Sequence, residues 1–286
     1  MTFSNDRILV APARSGSTWL CMLLNELDNV VALDEPFARE ALAEMDPAGF
    51  AEFVGKTLED ERRMILESAK AHSTKAIGDR GLGNHYGEVS HKTGLRARQV
   101  EFGTIDISKT LSPDFTLVIK HTIPFTGIID RLILRYPTYV LVRNPLAILI
   151  SWNSIEAAYR DGRIQDYALN LTGDLAERLD VPDRFERQLR LLEWHFENYL
   201  SVSPQHVVRY EDLTTSRADH LHVITGQHRV DGTAGKAAGS RDDVDHLFHM
   251  LVARGDSSPI FAFYDRDAIE AMHASMTRRM ELAIGA

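Results

Sequence analysis

Cysteine is almost absent from this chain, in which Cys21 is the single one among 286 residues. One cysteine excludes an intrachain disulfide and is typical of a reducing compartment. Cys21 falls in a stretch of helical periodicity, which favours a packed thiol over a nucleophile. Long apolar runs are missing too, because residues 136–152 are interrupted by Arg143, Asn144 and Pro145 and cannot span a bilayer. Without a visible secretory signal, we expect a cytoplasmic protein that makes no membrane contact.

Positive charge is in deficit. The chain has 32 Lys and Arg residues against 41 Asp and Glu, a formal net charge of −9. This balance argues against a nucleic-acid binder, although it leaves room for a local basic pocket. The hydrophobic fraction of 44% and the charged fraction of 26% are ordinary for a globular protein. At this length the sequence predicts one domain over residues 1–286.

Two kinds of catalytic motif are missing as well. The twelve histidines include the close pairs His246 and His249, and His220 and His222, but neither pair has a cysteine or a clear third ligand nearby. We therefore expect no metal site. No Gly-X-Ser-X-Gly motif or Cys–His arrangement indicates acyl transfer.

What the sequence does contain is an alternation of apolar runs and helical patterns. Runs typical of buried strands fall at 8–11, 30–33, 115–119, 138–142 and 207–210, and helical periodicity at 20–27, 47–70, 183–200 and 265–283. The alternation predicts an α/β fold with a mostly parallel central sheet flanked by helices, and a ligand at the carboxyl ends of the strands. Residues 71–112 are rich in glycine and polar residues. There we expect an irregular insertion that either faces the substrate or is disordered without ligand.

The first candidate site follows the first apolar run. The loop 14–18 leads into a helix, and Gly16 allows a ligand to approach the backbone closely. Ser17 and Thr18 can cap that helix, whose free N–H groups and dipole favour an anion. Arg14 adds a planar cation suited to phosphate or sulfate, while the Gly-Lys pair of an ordinary P-loop is absent. The stretch predicts an oxyanion site; the alternative is a small-residue turn without a ligand.

The second candidate site lies at the end of the run 138–142. Arg143 comes directly after this run, and Asn144 and Pro145 are a good N-cap and a good first helical residue. Ser151 falls under two turns into the predicted helix. Arg143 can give a phosphate a bidentate contact while Ser151 donates its hydroxyl. The alternative is a surface arginine and a serine bonded to the backbone.

The two stretches resemble parts of one enzyme family. Residues 14–20 resemble the 5′-phosphosulfate loop of sulfotransferases, in the arginine form of carbohydrate and bacterial members. Arg143, Pro145 and Ser151 resemble the 3′-phosphate element of the same family. Residues 209–213 resemble its Tyr-Glu-Asp-Leu motif, whose role is mainly architectural. The likeness covers short segments between residue 7 and about residue 213.

The likeness implies a P-loop NTPase-like domain and a donor co-substrate, 3′-phosphoadenosine-5′-phosphosulfate (PAPS), which leaves as adenosine 3′,5′-bisphosphate (PAP). The family's donor site corresponds here to Arg14, Ser15, Gly16, Ser17, Thr18 and Trp19 around the 5′-phosphosulfate, and to Arg143 and Ser151 on the 3′-phosphate. No metal is implied, because Arg14 and the loop amides take the role that magnesium has in NTPases. Lys236 and Arg241 match the family's late basic segment only loosely and are left unassigned.

Two residues are candidates for the base that removes the acceptor's proton. Glu35 resembles the glutamate that carbohydrate-type members place after the second strand. His121 is the other candidate, but Lys120-His121-Thr122 departs from the Lys-Thr-His order of cytosolic members, and a shift of one residue turns a strand side chain to the opposite face. Glu35 is favoured; the alternatives are a solvated carboxylate or a partner of Arg39. Lys120 is expected at the donor's sulfate or bridging oxygen, or else in solvent.

The sequence thus predicts transfer of a sulfuryl group from PAPS to a hydroxyl or amine of a small-molecule or carbohydrate acceptor. An ATP-dependent small-molecule kinase on the same fold is one alternative, and a non-catalytic nucleotide-binding protein is the other. Neither nucleic acid nor membrane is an expected partner. The acceptor's identity and the oligomeric state stay open, with a homodimer among the options.

Overall fold

The computed structural model describes residues 5–79, 81–215, 217–227 and 241–284. Its strands are β1 (Asp6–Val10), β2 (Val30–Asp34), β3 (Lys70–Ala76), β4 (Tyr86–Val89), β5 (Arg96–Arg98), β6 (Val100–Asp106), β7 (Thr116–His121), β8 (Thr138–Val142) and β9 (Val207–Arg209). Its helices are α1 (Ser17–Leu24), α2 (Arg39–Ala43), α3 (Pro47–Ser68), α4 (Ile123–Gly127), α5 (Ile129–Leu132), α6 (Pro145–Asn153), α7 (Leu175–Arg178), α8 (Arg184–Tyr199), α9 (Tyr210–Thr215), α10 (Arg217–Thr225), α11 (Arg241–Val252) and α12 (Arg266–Ile284). Short 3-10 helices cover Ala158–Asp161, Asp166–Leu171, Pro204–His206 and Pro259–Ala262. No helix within these residues combines the length and the apolarity that crossing a bilayer takes.

The central sheet has five strands in the order β2-β7-β1-β8-β9, and every pair in it is parallel. All residues of β2 and β8 are buried, as expected for parallel strands covered by helices on both faces. The predicted α/β class with a parallel central sheet is confirmed. Because all five strands run the same way, their carboxyl ends meet at one edge of the sheet.

Successive residues of the central strands contribute to two different cores. Ile8 of β1 belongs to the larger core, together with Phe50 of α3. Its neighbour Leu9 belongs to the smaller core, together with Leu20 and Leu24 of α1. Side chains alternate between the faces of a strand, so a one-residue step along β1 crosses the sheet. The same alternation decides which side chains at the strand ends can meet.

The insertion predicted as irregular at 71–112 contains four strands, so that expectation is wrong. Antiparallel β3 and β6 form one pair, and antiparallel β4 and β5 form another. The strands escaped prediction because they are short and polar, with no strict apolar alternation; β3, for example, reads Lys-Ala-His-Ser-Thr-Lys-Ala. The backbone N–H of Arg96 donates to the Ser154 carbonyl over 3.0 Å, and Glu156 N donates to the Arg96 carbonyl over 3.0 Å. These bonds attach β5 to the chain just after α6.

The helix starts at the two candidate sites differ in their caps. Asn144 accepts a hydrogen bond from Leu146 N, which confirms it as the cap of α6. Ser17 and Thr18, predicted as caps of α1, lie within that helix; the cap is Gly16, with φ of 97° and no side-chain hydrogen bond. Thr18 Oγ1 donates instead to Asp34 Oδ2 at 2.7 Å.

Three of the residues considered from sequence fall outside what the structure describes. Lys236 belongs to the undescribed residues 228–240, and the side chains of Arg241 and His220 are likewise outside the described part.

Candidate active site

A pocket of about 480 Å³ opens at the carboxyl edge of the central sheet, within the range of roughly 300–1,000 Å³ that is usual for small-molecule sites. Its lining includes most of the site residues predicted from sequence: Arg14, Gly16, Ser17, Thr18, Trp19, Glu35, Lys120, Arg143 and Ser151. Ser15 and His121 are buried and do not line it. The ends of β1, β2, β7 and β8 therefore bring the nine predicted residues that line the pocket together.

The two candidate phosphate-binding stretches are joined directly. Arg14 Nε donates to Ser151 Oγ at 3.1 Å, across 137 positions of sequence. Arg143 Nη1 donates to the Arg14 carbonyl at 3.0 Å, and Trp152 Nε1 donates to the Ala13 carbonyl at 2.8 Å. Arg14 has φ of 68°, a left-handed conformation that is uncommon outside glycine. The loop after β1 is thus held by Ser151 and Trp152 of α6 and by Arg143, which lies between β8 and α6.

Tyrosine rings support both guanidinium groups. The Arg14 guanidinium lies 4.8 Å from the centre of the Tyr86 ring, and that of Arg143 lies 4.3 Å from the centre of the Tyr210 ring. Stacking of this kind orients a planar cation while leaving its N–H edge available. Burial lowers the pKa of both arginines, but a guanidinium stays protonated in proteins.

Two polar atoms at these stretches are buried without a hydrogen-bond partner: Ser15 Oγ and Arg143 Nε. Buried donors and acceptors are nearly always satisfied, by protein or by a bound group. Their presence beside a cationic pocket fits an anion that would complete the hydrogen bonding.

A network of buried charges lies on the other side of the loop. The buried Lys120 Nζ lies 2.7 Å from Asp34 Oδ1 and 3.2 Å from Glu35 Oε1. His85 Nε2 lies 3.0 Å from Asp34 Oδ2. Glu35 has φ of 51°, a second left-handed residue at the pocket. Sequence analysis left open that Lys120 is in solvent and that Glu35 is a solvated carboxylate or a partner of Arg39. These alternatives are wrong, because Lys120 is buried and Glu35 pairs with it.

The charges in this network keep one another ionised. Burial works against the charge on Lys120, but Asp34 and Glu35 outweigh it and raise the pKa of Lys120 above its usual value. Burial likewise favours the neutral acids, but Lys120 outweighs it and lowers the pKa of Asp34 and of Glu35. Glu35 is therefore a carboxylate at neutral pH and can accept a proton.

His121 turns away from this network. Its ring lies 5.8 Å from that of Phe37 and 5.7 Å from that of Phe125, and its Nδ1 accepts a hydrogen bond from Thr122 N at 2.9 Å. Burial lowers the pKa of His121 to about 4. His121 shares a strand face with Ile119 of the larger core, whereas Lys120 points to the opposite face. A neutral ring in an apolar cluster is poorly placed to act as a base.

Sequence reasoning missed part of the pocket wall. Tyr86, Arg96 and Arg98 come from the β4–β5 pair, and Tyr159 and Tyr167 from two 3-10 helices. The arginines were visible in the polar stretch 71–112, but nothing local indicated where that stretch docks. Six Lys or Arg side chains and two carboxylates line the pocket, so it is basic within an acidic chain. Among the described residues, no group of three or more His, Cys, Asp or Glu is arranged to hold a metal ion.

Solved structures of sulfotransferases are among those that resemble this chain. The sulfotransferase from Alicyclobacillus acidocaldarius is 13% identical with a TM-score of 0.41, over 93% of this chain and 97% of that one. The sulfotransferase domain of the Synechococcus PCC 7002 olefin synthase is 12% identical with a TM-score of 0.39, over 89% and 97%. The sulfotransferase domain from the curacin biosynthetic pathway is 13% identical with a TM-score of 0.37, over 76% and 70%. No family model and no curated protein matches the sequence. A likeness this distant carries no argument about activity, which rests on the pocket itself.

Proposed function

We propose that this protein is a sulfotransferase that moves the sulfuryl group of PAPS to a hydroxyl or amine of a small-molecule or carbohydrate acceptor. The observation that carries the proposal is the meeting of Arg14 and Arg143 in one pocket, with Ser151 beside Arg14. PAPS has anionic groups at the 5′ and 3′ positions of its ribose, so it needs two cationic subsites. An ATP-dependent kinase needs only the first.

In this proposal Arg14 and the amides of residues 15–18 hold the 5′-phosphosulfate, at the start of α1. Arg143 and Ser151 hold the 3′-phosphate. The unsatisfied Ser15 Oγ and Arg143 Nε support this division, because each is a buried group that an anion can complete. Arginine is suited to both positions, since its planar fork matches phosphate and sulfate oxygens.

The reaction then breaks the bond from sulfur to the donor's bridging oxygen and forms a bond from sulfur to the acceptor's oxygen or nitrogen. The acceptor oxygen or nitrogen attacks the sulfur in line with the bridging oxygen of the donor. The bond from sulfur to that oxygen breaks, and its electron pair stays on the 5′-phosphate of PAP. The acceptor's proton passes to the Glu35 carboxylate. Positioning and electrostatics supply most of the rate enhancement.

Lys120 connects the protonation of Glu35 with the negative charge that develops on the leaving phosphate. Its ammonium is shared between Asp34 and Glu35. When Glu35 takes the acceptor's proton, Lys120 loses one of its two counter-charges. Its positive charge is then available for the leaving phosphate, at the moment when that phosphate gains negative charge. Arg14 supplies the second cation there.

The 3′-phosphate subsite is tested by Arg143→Ala. We expect this change to weaken the binding of PAP at least about tenfold more than that of AMP, because AMP has no 3′-phosphate for Arg143 to bind. Titration calorimetry with PAP, AMP and adenosine 2′,5′-bisphosphate measures the difference. Arg143 also donates a hydrogen bond to the Arg14 carbonyl, so its loss can disturb the loop after β1. Any decrease in AMP affinity measures that indirect effect, because AMP has no 3′-phosphate.

Arg209→Ala is the matched control, since Arg209 is exposed at the end of β9, lies over the Tyr264 ring and does not line the pocket. Equal losses of PAP and AMP affinity in Arg143→Ala would refute the 3′-phosphate role. Magnesium-dependent ATP turnover without transfer from PAPS would instead favour a kinase. PAP binding without transfer to any acceptor would indicate a non-catalytic protein.

A further inference from the structure

Most of the positive charge that lines the pocket forms no ion pair within the described part of the chain. Five arginines line it without an ion-pair partner in that part of the chain: Arg14, Arg39, Arg96, Arg98 and Arg143. Like charges gathered in one cavity repel one another, and the repulsion is relieved when anions bind. The number and position of these guanidinium groups therefore carry information about the ligands.

The proposed donor accounts for most of this charge. A phosphate monoester carries about −1.5 to −2 at pH 7, and the phosphosulfate adds about two more negative charges, so PAPS brings roughly four. Tyr86, whose ring supports the Arg14 guanidinium, is the partner of Arg98 across the β4–β5 pair. Arg98 thus belongs to the donor side, and Arg96 precedes it by two positions of β5, on the same strand face. Four arginines match four charges, and Arg39 is left over.

Arg39 is on the side of the proposed base. It follows Glu35 by four positions, through the buried residues Pro36 and Phe37. Its guanidinium lies 5.4 Å from the centre of the Tyr167 ring. Among the described residues the Arg39 guanidinium makes no hydrogen bond and no ion pair, so its N–H edge is available to a ligand.

The Arg39 and Tyr167 pair has a rigid support. Tyr167 belongs to the 3-10 helix Asp166–Leu171, and Asn170 Nδ2 of that helix donates to the Ala43 carbonyl at the end of α2 over 2.8 Å. Gln165, just before this helix, accepts a hydrogen bond from Tyr159 Oη at 3.3 Å. The side chains of Glu35, Arg39, Tyr159, Gln165 and Tyr167 all line the pocket, and we name this set the Arg39 subsite.

We infer that the acceptor is an acidic compound, whose carboxylate, phosphate or sulfate binds Arg39 on the face of Tyr167 while its hydroxyl or amine faces Glu35. This inference rests on the proposed sulfotransferase function and adds the acceptor's class to it. A guanidinium that is already oriented by a ring loses little freedom when it binds a planar oxyanion. The neighbouring rings of Tyr159 and Tyr167 offer apolar surface to the body of such a compound.

The test uses acid and ester pairs with the PAP-saturated protein. Titration calorimetry compares 4-hydroxyphenylacetate and glucuronate with their methyl esters, which keep the hydroxyls and lose the charge. We expect at least one acid to bind on the order of tenfold more tightly than its ester, and Arg39→Ala to bring that ratio close to one. Arg39→Lys should keep part of the preference, because the charge remains without the fork.

Arg131→Ala is the matched control, because it removes an exposed arginine of α5 that does not line the pocket. PAP affinity, measured in the same variants, separates the two claims. If PAP binds better than AMP but no acid is preferred to its ester, the inference fails and the proposed function stands. If Arg131→Ala abolishes the preference as fully as Arg39→Ala, a general charge effect replaces the Arg39 subsite. If PAP binds no better than AMP, the proposed function and the inference about the acceptor are both wrong.

Discussion

At the scale of single residues, the proposed base is defined by its charged neighbours. Glu35 is held in a left-handed conformation and faces the buried ammonium of Lys120 at 3.2 Å. That ammonium keeps the carboxylate ionised against the effect of burial. A strained backbone conformation persists only where its surroundings hold it in place. Here the Lys120 ammonium, itself paired with Asp34, holds the Glu35 side chain. The Glu35 side chain is thus ionised and held in position without a bound acceptor.

Glu35→Gln removes the proton acceptor while keeping the shape of the side chain. We expect turnover to fall by about 10²–10⁴-fold, the usual contribution of a positioned general base. PAP affinity should change little, because Lys120 keeps Asp34 as its partner. Rates of sulfate transfer from radiolabelled PAPS, together with PAP titrations, measure the two quantities.

Glu156→Gln is the control for this change, since Glu156 is the other carboxylate of the pocket lining and accepts a hydrogen bond from Thr93. It should retain turnover within a few-fold. Full activity of Glu35→Gln would exclude Glu35 as the base and return His121 to consideration, in spite of its apolar surroundings.

At the scale of elements, the strand–loop–helix unit of β1 and α1 depends on one close approach. A Cβ atom at Gly16 would lie 2.5 Å from the Tyr210 ring, and the φ of 97° disfavours any residue with a side chain. Tyr210 also supports the Arg143 guanidinium. The start of α9 therefore packs on both candidate phosphate-binding stretches. This contact gives the Tyr-Glu-Asp-Leu stretch an architectural part at the pocket.

Gly16→Ala should weaken both folding and donor binding. The left-handed backbone alone costs about 1–2 kcal/mol for a residue with a Cβ, and the clash with Tyr210 adds to it. We expect a lower free energy of unfolding in urea, together with a loss of PAP affinity of at least about tenfold.

Gly173→Ala offers the matched comparison, because Gly173 also has positive φ, of 58°, and no atom lies within 4 Å of an added Cβ. Gly173→Ala should lose only the folding free energy that the left-handed backbone costs, and its PAP affinity should equal that of the wild type. PAP binding by Gly16→Ala at the wild-type affinity would show that the loop does not need this close approach.

At the scale of the whole molecule, the buried Asp34–Lys120 pair couples the pocket to folding. It links the ends of β2 and β7, which are neighbours in the sheet. The folded state holds the pKa of Asp34 below its usual value of 3.8. Such a group stabilises the fold at pH values above its unfolded pKa, and the stabilisation is lost as the pH falls towards the folded pKa. The free energy of unfolding should therefore decrease as the pH drops below about 4.

Asp34→Asn should remove about 3–5 kcal/mol from the free energy of unfolding at pH 7, as expected when a buried pair loses one partner. It should also flatten the decline below pH 4. Urea unfolding at pH 7, 4 and 3 measures both effects. Asp60→Asn is the control, because Asp60 pairs with Lys56 and Arg63 at the exposed surface, where such pairs contribute about 0–1 kcal/mol. Equal losses in the two variants would contradict a special role for the buried pair.

Much of the candidate site was visible in the sequence because its signals are local. The apolar runs, the Asn144-Pro145 helix start and the glycine in the first loop each depend on a few neighbouring residues. They were enough to predict the central strands and to put Arg14, Glu35, Lys120, His121 and Arg143 at strand ends that meet at one edge. The resemblance to sulfotransferases supplied the roles of Glu35, Lys120 and His121, of which His121 does not line the pocket. The wall formed by β4 and β5 was not predictable, because those strands are polar and are attached to the chain after α6 by backbone bonds at Arg96 and a side-chain bond from Thr93 to Glu156, contacts between segments far apart in sequence.

The sequence by itself determined which chemical groups stand at the strand ends, since strand length and helix caps are short-range properties. Only the tertiary structure decided how those groups pair. Lys120 faces Asp34 and Glu35, whereas His121 joins Phe37 and Phe125, because adjacent residues of a strand lie on opposite faces and the sheet order assigns each face its neighbours. Arg39 likewise meets Tyr167 instead of Glu35. The docking of distant segments decides such contacts, and no local pattern encodes it.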